Sequence, residues 1–165
     1  MTDELTRLAN SVLWPGFFGE QAPAWLLDEL RGGLAGVVYF GQNIGDGLAE
    51  LSAQLRDANP AVLIGVDEEG GSVTRLQVAT GSTLPGAAQL GVLDDTDASR
   101  ATGAELARRA RGAGVNVVLG PVADVNTDPR NPVIGVRSFG ADPDLVSRHV
   151  VAQVEGLQGG GVAAC

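Results

Sequence analysis

The 165-residue chain has no lysine, one cysteine, one histidine and few aromatic side chains, which make up 4% of it. A single thiol, Cys165, excludes an internal disulfide, and with it a disulfide-stapled scaffold. The cations are all arginine; eleven of them face twenty acidic residues, a formal charge of −9. Nucleic acid and anionic membrane both require a basic face, so neither is expected as a partner. No apolar run approaches the roughly 20 residues that a membrane-spanning helix needs. Residues 1–11 are mixed polar and charged, without a basic leader or an apolar stretch. The expectation is a cytoplasmic protein. What the chain has in quantity is glycine (24 residues) and a 44% hydrophobic content, enough for one full core.

The apolar residues are arranged in short continuous runs. Residues 11–18, 36–40, 61–66 and 115–119 read as strands, and 162–165 as the start of a fifth. Amphipathic helices are expected between them. The first has Pro23 in its opening turn and Leu26, Leu27 and Leu30 on one face. The next opens at Asp46 and closes at Asn59-Pro60. Residues 77–91, rich in Gly, Thr, Ala and Pro, read as a loop. The helix over 97–111 would bury Gly103, Leu106, Ala107 and Ala110 and present Arg108, Arg109 and Arg111 to solvent. Asp142-Pro143-Asp144 is a capped helix start, followed by a stripe of Val146, Val150, Val154 and Leu157. Strands that are apolar throughout, alternating with helices, mean a parallel sheet with helices outside it.

Polar residues gather after the strands, at the end of a parallel sheet where ligands bind. The densest case is Asp67-Glu68-Glu69-Gly70-Gly71, with Arg75 close behind. A second group, Gly120 to Asn126 with Asp124, runs into a loop that carries Arg137. This clustering suits a (β/α)8 barrel better than a dinucleotide-binding sheet, since no Gly-x-Gly-x-x-Gly follows the first strand. A barrel typically takes about 250 residues, so the expected fold is α/β: the N-terminal half of a (β/α)8 (TIM) barrel, about four βα units plus the start of a fifth strand. Residues 1–165 are read as a single partial domain.

Two stretches resemble the signatures of family 3 glycoside hydrolases. One is Val66-Asp67-Glu68-Glu69-Gly70-Gly71 with Val73, Arg75 and Leu76; the other is Gly120-Pro121-Val122-Ala123-Asp124-Val125-Asn126 with Asn131-Pro132-Val133-Ile134-Gly135-Val136-Arg137-Ser138-Phe139-Gly140. The form around Arg137-Ser138-Phe139-Gly140 is similar to the β-N-acetylglucosaminidase (β-N-acetylhexosaminidase) branch, more than to the β-glucosidase branch. The resemblance implies retaining hydrolysis of a terminal β-linked N-acetylglucosamine, as in peptidoglycan fragments, with a carbohydrate as partner and no cofactor or metal. It assigns substrate binding to Asp67, Arg75 and Arg137. Glu68 stands where the family more often has glutamine, and Ser72 where it often has arginine.

Retaining hydrolysis needs a nucleophilic carboxylate and an acid/base group. The resemblance puts both, an aspartate and a histidine, beyond Cys165, so no catalytic residue is expected in these 165 residues and the chain alone is expected to be inactive. Glu69 and Asp124 are read as structural acids bonding to loop amides or to the arginines. Trp14 and Trp25 are read as core or helix packing, and His149 as a surface residue. A β-glucosidase, a non-catalytic sugar-binding module and a phosphate-binding barrel are the alternatives.

Overall fold

The computed structural model describes residues 2–165, with side chains from residue 4 onward. In chain order the elements are α1 (Thr2–Asn10), α2 (Ala24–Arg31), β1 (Gly36–Tyr39), α3 (Leu48–Ala58), β2 (Leu63–Val66), α4 (Ala87–Leu93), α5 (Thr96–Gly112), β3 (Val117–Val118), α6 (Pro143–Gly159) and β4 (Ala163–Ala164). The four strands form one parallel sheet in the order β1-β2-β3-β4. Sequence order equals spatial order, the arrangement of successive βα units in a barrel.

Side-chain alternation divides the sheet into two faces. Val37, Tyr39, Ile64 and Val66 are fully buried and meet Leu51 and Leu55 of α3 and Leu106, Ala107 and Ala110 of α5 in one core. Each Val, Leu or Ile side chain among them contributes about 1.5–3 kcal/mol by leaving water. On the opposite face Phe40 is 39% exposed and Leu63 37% exposed. Asn116 reinforces the ladder with its side chain: Oδ1 accepts from Ile64 N at 2.7 Å and Nδ2 donates to Val62 O at 2.9 Å.

Four expectations, that for Pro23 included, are corrected, and one helix is added. Residues 11–18 are not a strand. Pro15 has no N–H to continue a ladder, and the segment meets the sheet through a single bond, Val38 N donating to Pro15 O. The loop over 77–91 contains the start of α4, whose interior Gly91 permits Phe139 to approach its backbone. Residues 2–10, given no element from sequence, are helical. On α6, Val146 and Leu157 are buried as expected, but Val150 and Val154 are half-buried, while His149, Ala152, Gln153 and Gly156 take the interior. The stripe turns because α5 and α6 cross backbone to backbone. A Cβ on Gly103 would lie 2.3 Å from Gln153 O, and one on Gly156 would lie 2.1 Å from Arg100 O. The start of α6 is as expected, with Asp142 capping it and Pro143 in its first turn; α5 begins one residue earlier than expected, capped by Asp95 through Asp97 N and Ala98 N. Pro23 differs by one position, standing before α2 rather than within it.

Candidate functional site

The segments leaving the carboxyl ends of β2 and β3 meet over the sheet. Past β2, the three consecutive acids have three different environments. Asp67 is partly exposed and pairs with Arg75, Oδ2 to Nη2, at 3.1 Å. Glu68 is fully buried and accepts three hydrogen bonds: Oε1 from the Thr74 hydroxyl at 2.6 Å, Oε2 from Arg75 N and Leu76 N at 2.9 Å each. It thereby fixes the backbone that carries Arg75. Glu69 takes the fork of Arg137, with Nε 3.0 Å from Oε2 and Nη2 2.7 Å from Oε1.

The glycines after Glu69 make this turn possible. Gly71 has φ of 55°, and a Cβ there would lie 2.6 Å from Cα of Gly86. Gly71 N donates to Leu84 O at 3.1 Å, joining the turn to the segment before α4. Arg109 of α5 secures the same segment by donating to Gln77 Oε1 and, at 3.0 Å, to Thr83 Oγ1. Its side chain is 19% exposed, so the expected solvated face holds for Arg108 and not for Arg109. Its aliphatic stem and fork serve the loop.

Past β3, Ser138 is buried and its hydroxyl lies 2.5 Å from Asp124 O and 2.9 Å from Gly140 O. Asn126 N donates to Gly140 O at 2.9 Å. These bonds fold the long loop back so that Arg137, in a 3-10 turn (Gly135–Arg137), reaches across to Glu69. The Glu69 carboxylate, hydrogen-bonded to it, raises the Arg137 guanidinium above its ordinary range, and Asp124 and Asp67 add to the shift by charge. Arg137 therefore sits among three carboxylates.

The structure brings Asp67, Arg75 and Arg137 to one mouth. Glu69 bonds to an arginine as expected. Asp124 does so only through space: its side chain is exposed, and its carbonyl is what the loop uses. Two readings are overturned. His149 is fully buried, not on the surface, with Ser99, Asp94 and Phe139 around its ring. Trp25 is 51% exposed, and with Trp14, Leu13, Pro15 and Leu34 it lines an open recess of about 470 Å³. Glu68, given no role from sequence, and Arg109, expected to face solvent, hold the Arg75 loop. A carboxylate in a run of three carries no mark of burial, and an arginine in a run of arginines carries none of its partners. Among the described residues, no helix is long and apolar enough to cross a membrane.

A model of the glycosyl hydrolase family 3 N terminal domain matches residues 17–165. The chain belongs to glycoside hydrolase family 3. It is 38% identical over 139 residues to the beta-hexosaminidase of Xanthomonas oryzae pv. oryzae, covering 79% of this chain and 41% of that one. In fold it is similar to a family 3 β-N-acetylglucosaminidase from Paenibacillus sp. (TM-score 0.90, 33% identity, 97% of this chain and 32% of that one). It is also similar to NagZ from Neisseria gonorrhoeae in complex with N-trifluoroacetyl-D-glucosamine (TM-score 0.80, 28% identity, 93% of this chain and 48% of that one). The family 3 chain described here thus spans less than half the length of each, and its parallel sheet matches the TIM-barrel domain of these enzymes.

Proposed function

We propose that this chain supplies the sugar-holding side of a retaining β-N-acetylhexosaminidase, with Asp67, Arg75 and Arg137 binding a terminal β-linked N-acetylglucosamine. The observation that carries the reading is the placement of two arginine forks and one half-exposed carboxylate at a single sheet mouth, each anchored by an acid. Arg137 spends Nε and Nη2 on Glu69 and one Nη1 hydrogen on Val133 O at 3.5 Å, which leaves the second Nη1 hydrogen for a ligand oxygen, whereas Asp67 spends Oδ2 on Arg75 and keeps Oδ1 to accept from a hydroxyl. With three carboxylates against two arginines, the mouth suits a neutral polyhydroxyl ligand better than an anion. The N-acetylhexosamine class is supported by relatives whose names are beta-hexosaminidase and by the N-trifluoroacetyl-D-glucosamine complex of the Neisseria relative. A β-N-acetylglucosaminide such as a peptidoglycan fragment is the substrate class, the groups that cleave it lie outside these 165 residues, and the setting is cytoplasmic.

Calorimetric titration with N-acetylglucosamine, paired with a chromogenic β-N-acetylglucosaminide assay, tests this reading. Binding without turnover is expected. Arg137→Lys, which cannot reproduce the fork, is expected to weaken binding about tenfold. Turnover by the 165-residue chain, or sugar binding indifferent to Asp67→Asn and Arg137→Lys, overturns the assignment.

A further inference from the structure

His149 lies outside the mouth, fully buried on α6, with both ring nitrogens engaged by other elements. Nδ1 is 2.7 Å from Ser99 Oγ on α5, and Nε2 is 3.3 Å from Oδ1 of Asp94, the left-handed residue that ends α4. A carboxylate only accepts, so Nε2 carries the hydrogen of that contact, while Nδ1 shares a hydrogen bond with the Ser99 hydroxyl. Hydrogen bonds from Arg148 and then from His149 hold the Asp94 carboxyl below its ordinary range, so it is ionised for this role. These three residue types also make a hydrolase triad, but here Ser99 is fully buried on a helix. No substrate reaches it.

What the ring does face is the site loop. Phe139 stacks on His149 with centroids 5.2 Å apart and planes 19° from parallel. The backbone of Phe139 is pressed onto α4, where a Cβ on Gly91 would lie 1.7 Å from its carbonyl oxygen. Next along the chain are Ser138, which closes the loop on Asp124 O, and Arg137, whose fork grips Glu69. We propose that His149 is a positioning residue for Arg137: tied to α4 by Asp94 and to α5 by Ser99, it fixes the Phe139 ring and so the end of the turn that presents the guanidinium at the mouth. Its consequence for ligand binding rests on the sugar-binding reading above; the effect on Arg137 itself does not.

The test follows the Nε–H proton of Arg137 by NMR, with the Nε–H of Arg109, which donates to Glu105 at 2.8 Å, as internal control. Two variants are used: His149→Gln, and Asp94→Gly, which suits the left-handed backbone and removes an exposed carboxylate with its bonds to His149 and Arg148, leaving the core intact. In both, exchange of the Arg137 proton with water is expected to rise about fivefold or more, as for a local opening, with Arg109 unchanged. In parallel, the dissociation constant for N-acetylglucosamine is expected to rise. An unmoved Arg137 signal in folded Asp94→Gly overturns the proposal, whether or not His149→Gln folds. Arg137 and Arg109 loosening together also overturns it, since that is general destabilisation. Faster Arg137 exchange in a protein that never binds the sugar sustains the positioning role and removes the sugar reading instead.

Discussion

Glu68 shows how a single acid between two site acids can serve the fold. Its three donors are fixed: the Thr74 hydroxyl on one oxygen, two backbone N–H groups on the other. Glutamine, the residue that the family resemblance puts at this position, satisfies the same set. Its carbonyl oxygen takes both backbone N–H groups, and its amide donates to a Thr74 hydroxyl turned to accept. Glu68→Gln is therefore expected to leave the thermal midpoint within a few degrees of the parent. Glu68→Ala strands two buried N–H groups, each costing about 1–3 kcal/mol, and lowers chemical-denaturant stability by roughly 2–4 kcal/mol. An equal loss in both variants would show that charge, rather than hydrogen-bond count, holds the Arg75 loop.

Between elements, the core is tied by a short polar relay. Ser52 of α3 donates its one hydrogen to Ala113 O at 2.7 Å, just past α5, so the contact at 3.0 Å with Tyr39 of β1 must be donated by the phenol. Burial pushes that phenol up to about 12. With a folded value above the unfolded one near 10, its contribution is complete below pH 10 and is lost as pH rises through 12. Urea melts of the parent are expected to weaken across that window, and those of Tyr39→Phe to weaken less, at a cost near neutrality of ~1 kcal/mol for one neutral bond. The α5–α6 crossing yields a second prediction. Gly103→Ala gains ~1 kcal/mol of helix propensity but forces apart backbones that leave no room for a methyl, at ~1–3 kcal/mol. It is expected to be net destabilising in thermal melts, while Gly112→Ala, with open space around it, is neutral or stabilising. Elements of this kind were legible in the sequence where local residues decide them: the apolar runs of β1 and β2, the Asp142-Pro143 cap. Charge after an apolar run drew attention to Asp67 and Arg75, but the choice of Asp67, Arg75 and Arg137 came from the resemblance to family 3. Illegible were the features decided by distant partners. Pro15 spoils a strand that composition favours, and Gly91 is a contact point for Phe139 rather than a helix breaker. His149 is buried because Ser99 and Asp94 come from two other elements to satisfy it.

For the molecule as a whole, the two faces of the sheet differ in kind. The outer face is closed by α3 and α5 over side chains with no exposure, whereas Phe40 and Leu63 stand open on the other, beside Trp14, which packs over Gly65. Leu13, Phe18 and Trp25 add exposed apolar area along the β1 side, at 51%, 90% and 51%. At the other side β4 pairs with β3 alone among the described residues. In a closed barrel both sides pair with strands, and the inner face is filled by layers of side chains. A polypeptide of these 165 residues alone therefore offers unpaired backbone and an uncovered apolar face together, the combination that drives edge association. Its charge of −9 opposes this, but screening limits the repulsion to about 8 Å at physiological salt, whereas burial of apolar surface is insensitive to salt at that level. Sedimentation velocity is expected to show self-association that grows with protein concentration and persists or strengthens from low salt to 0.15 M. Leu63→Glu, which puts a charge on the open face without touching the outer core, is expected to shift the population toward monomer. A parent chain that stays monomeric at high concentration and physiological salt would mean that the inner face and both sheet sides are covered from within these residues, against what Phe40 and Leu63 display.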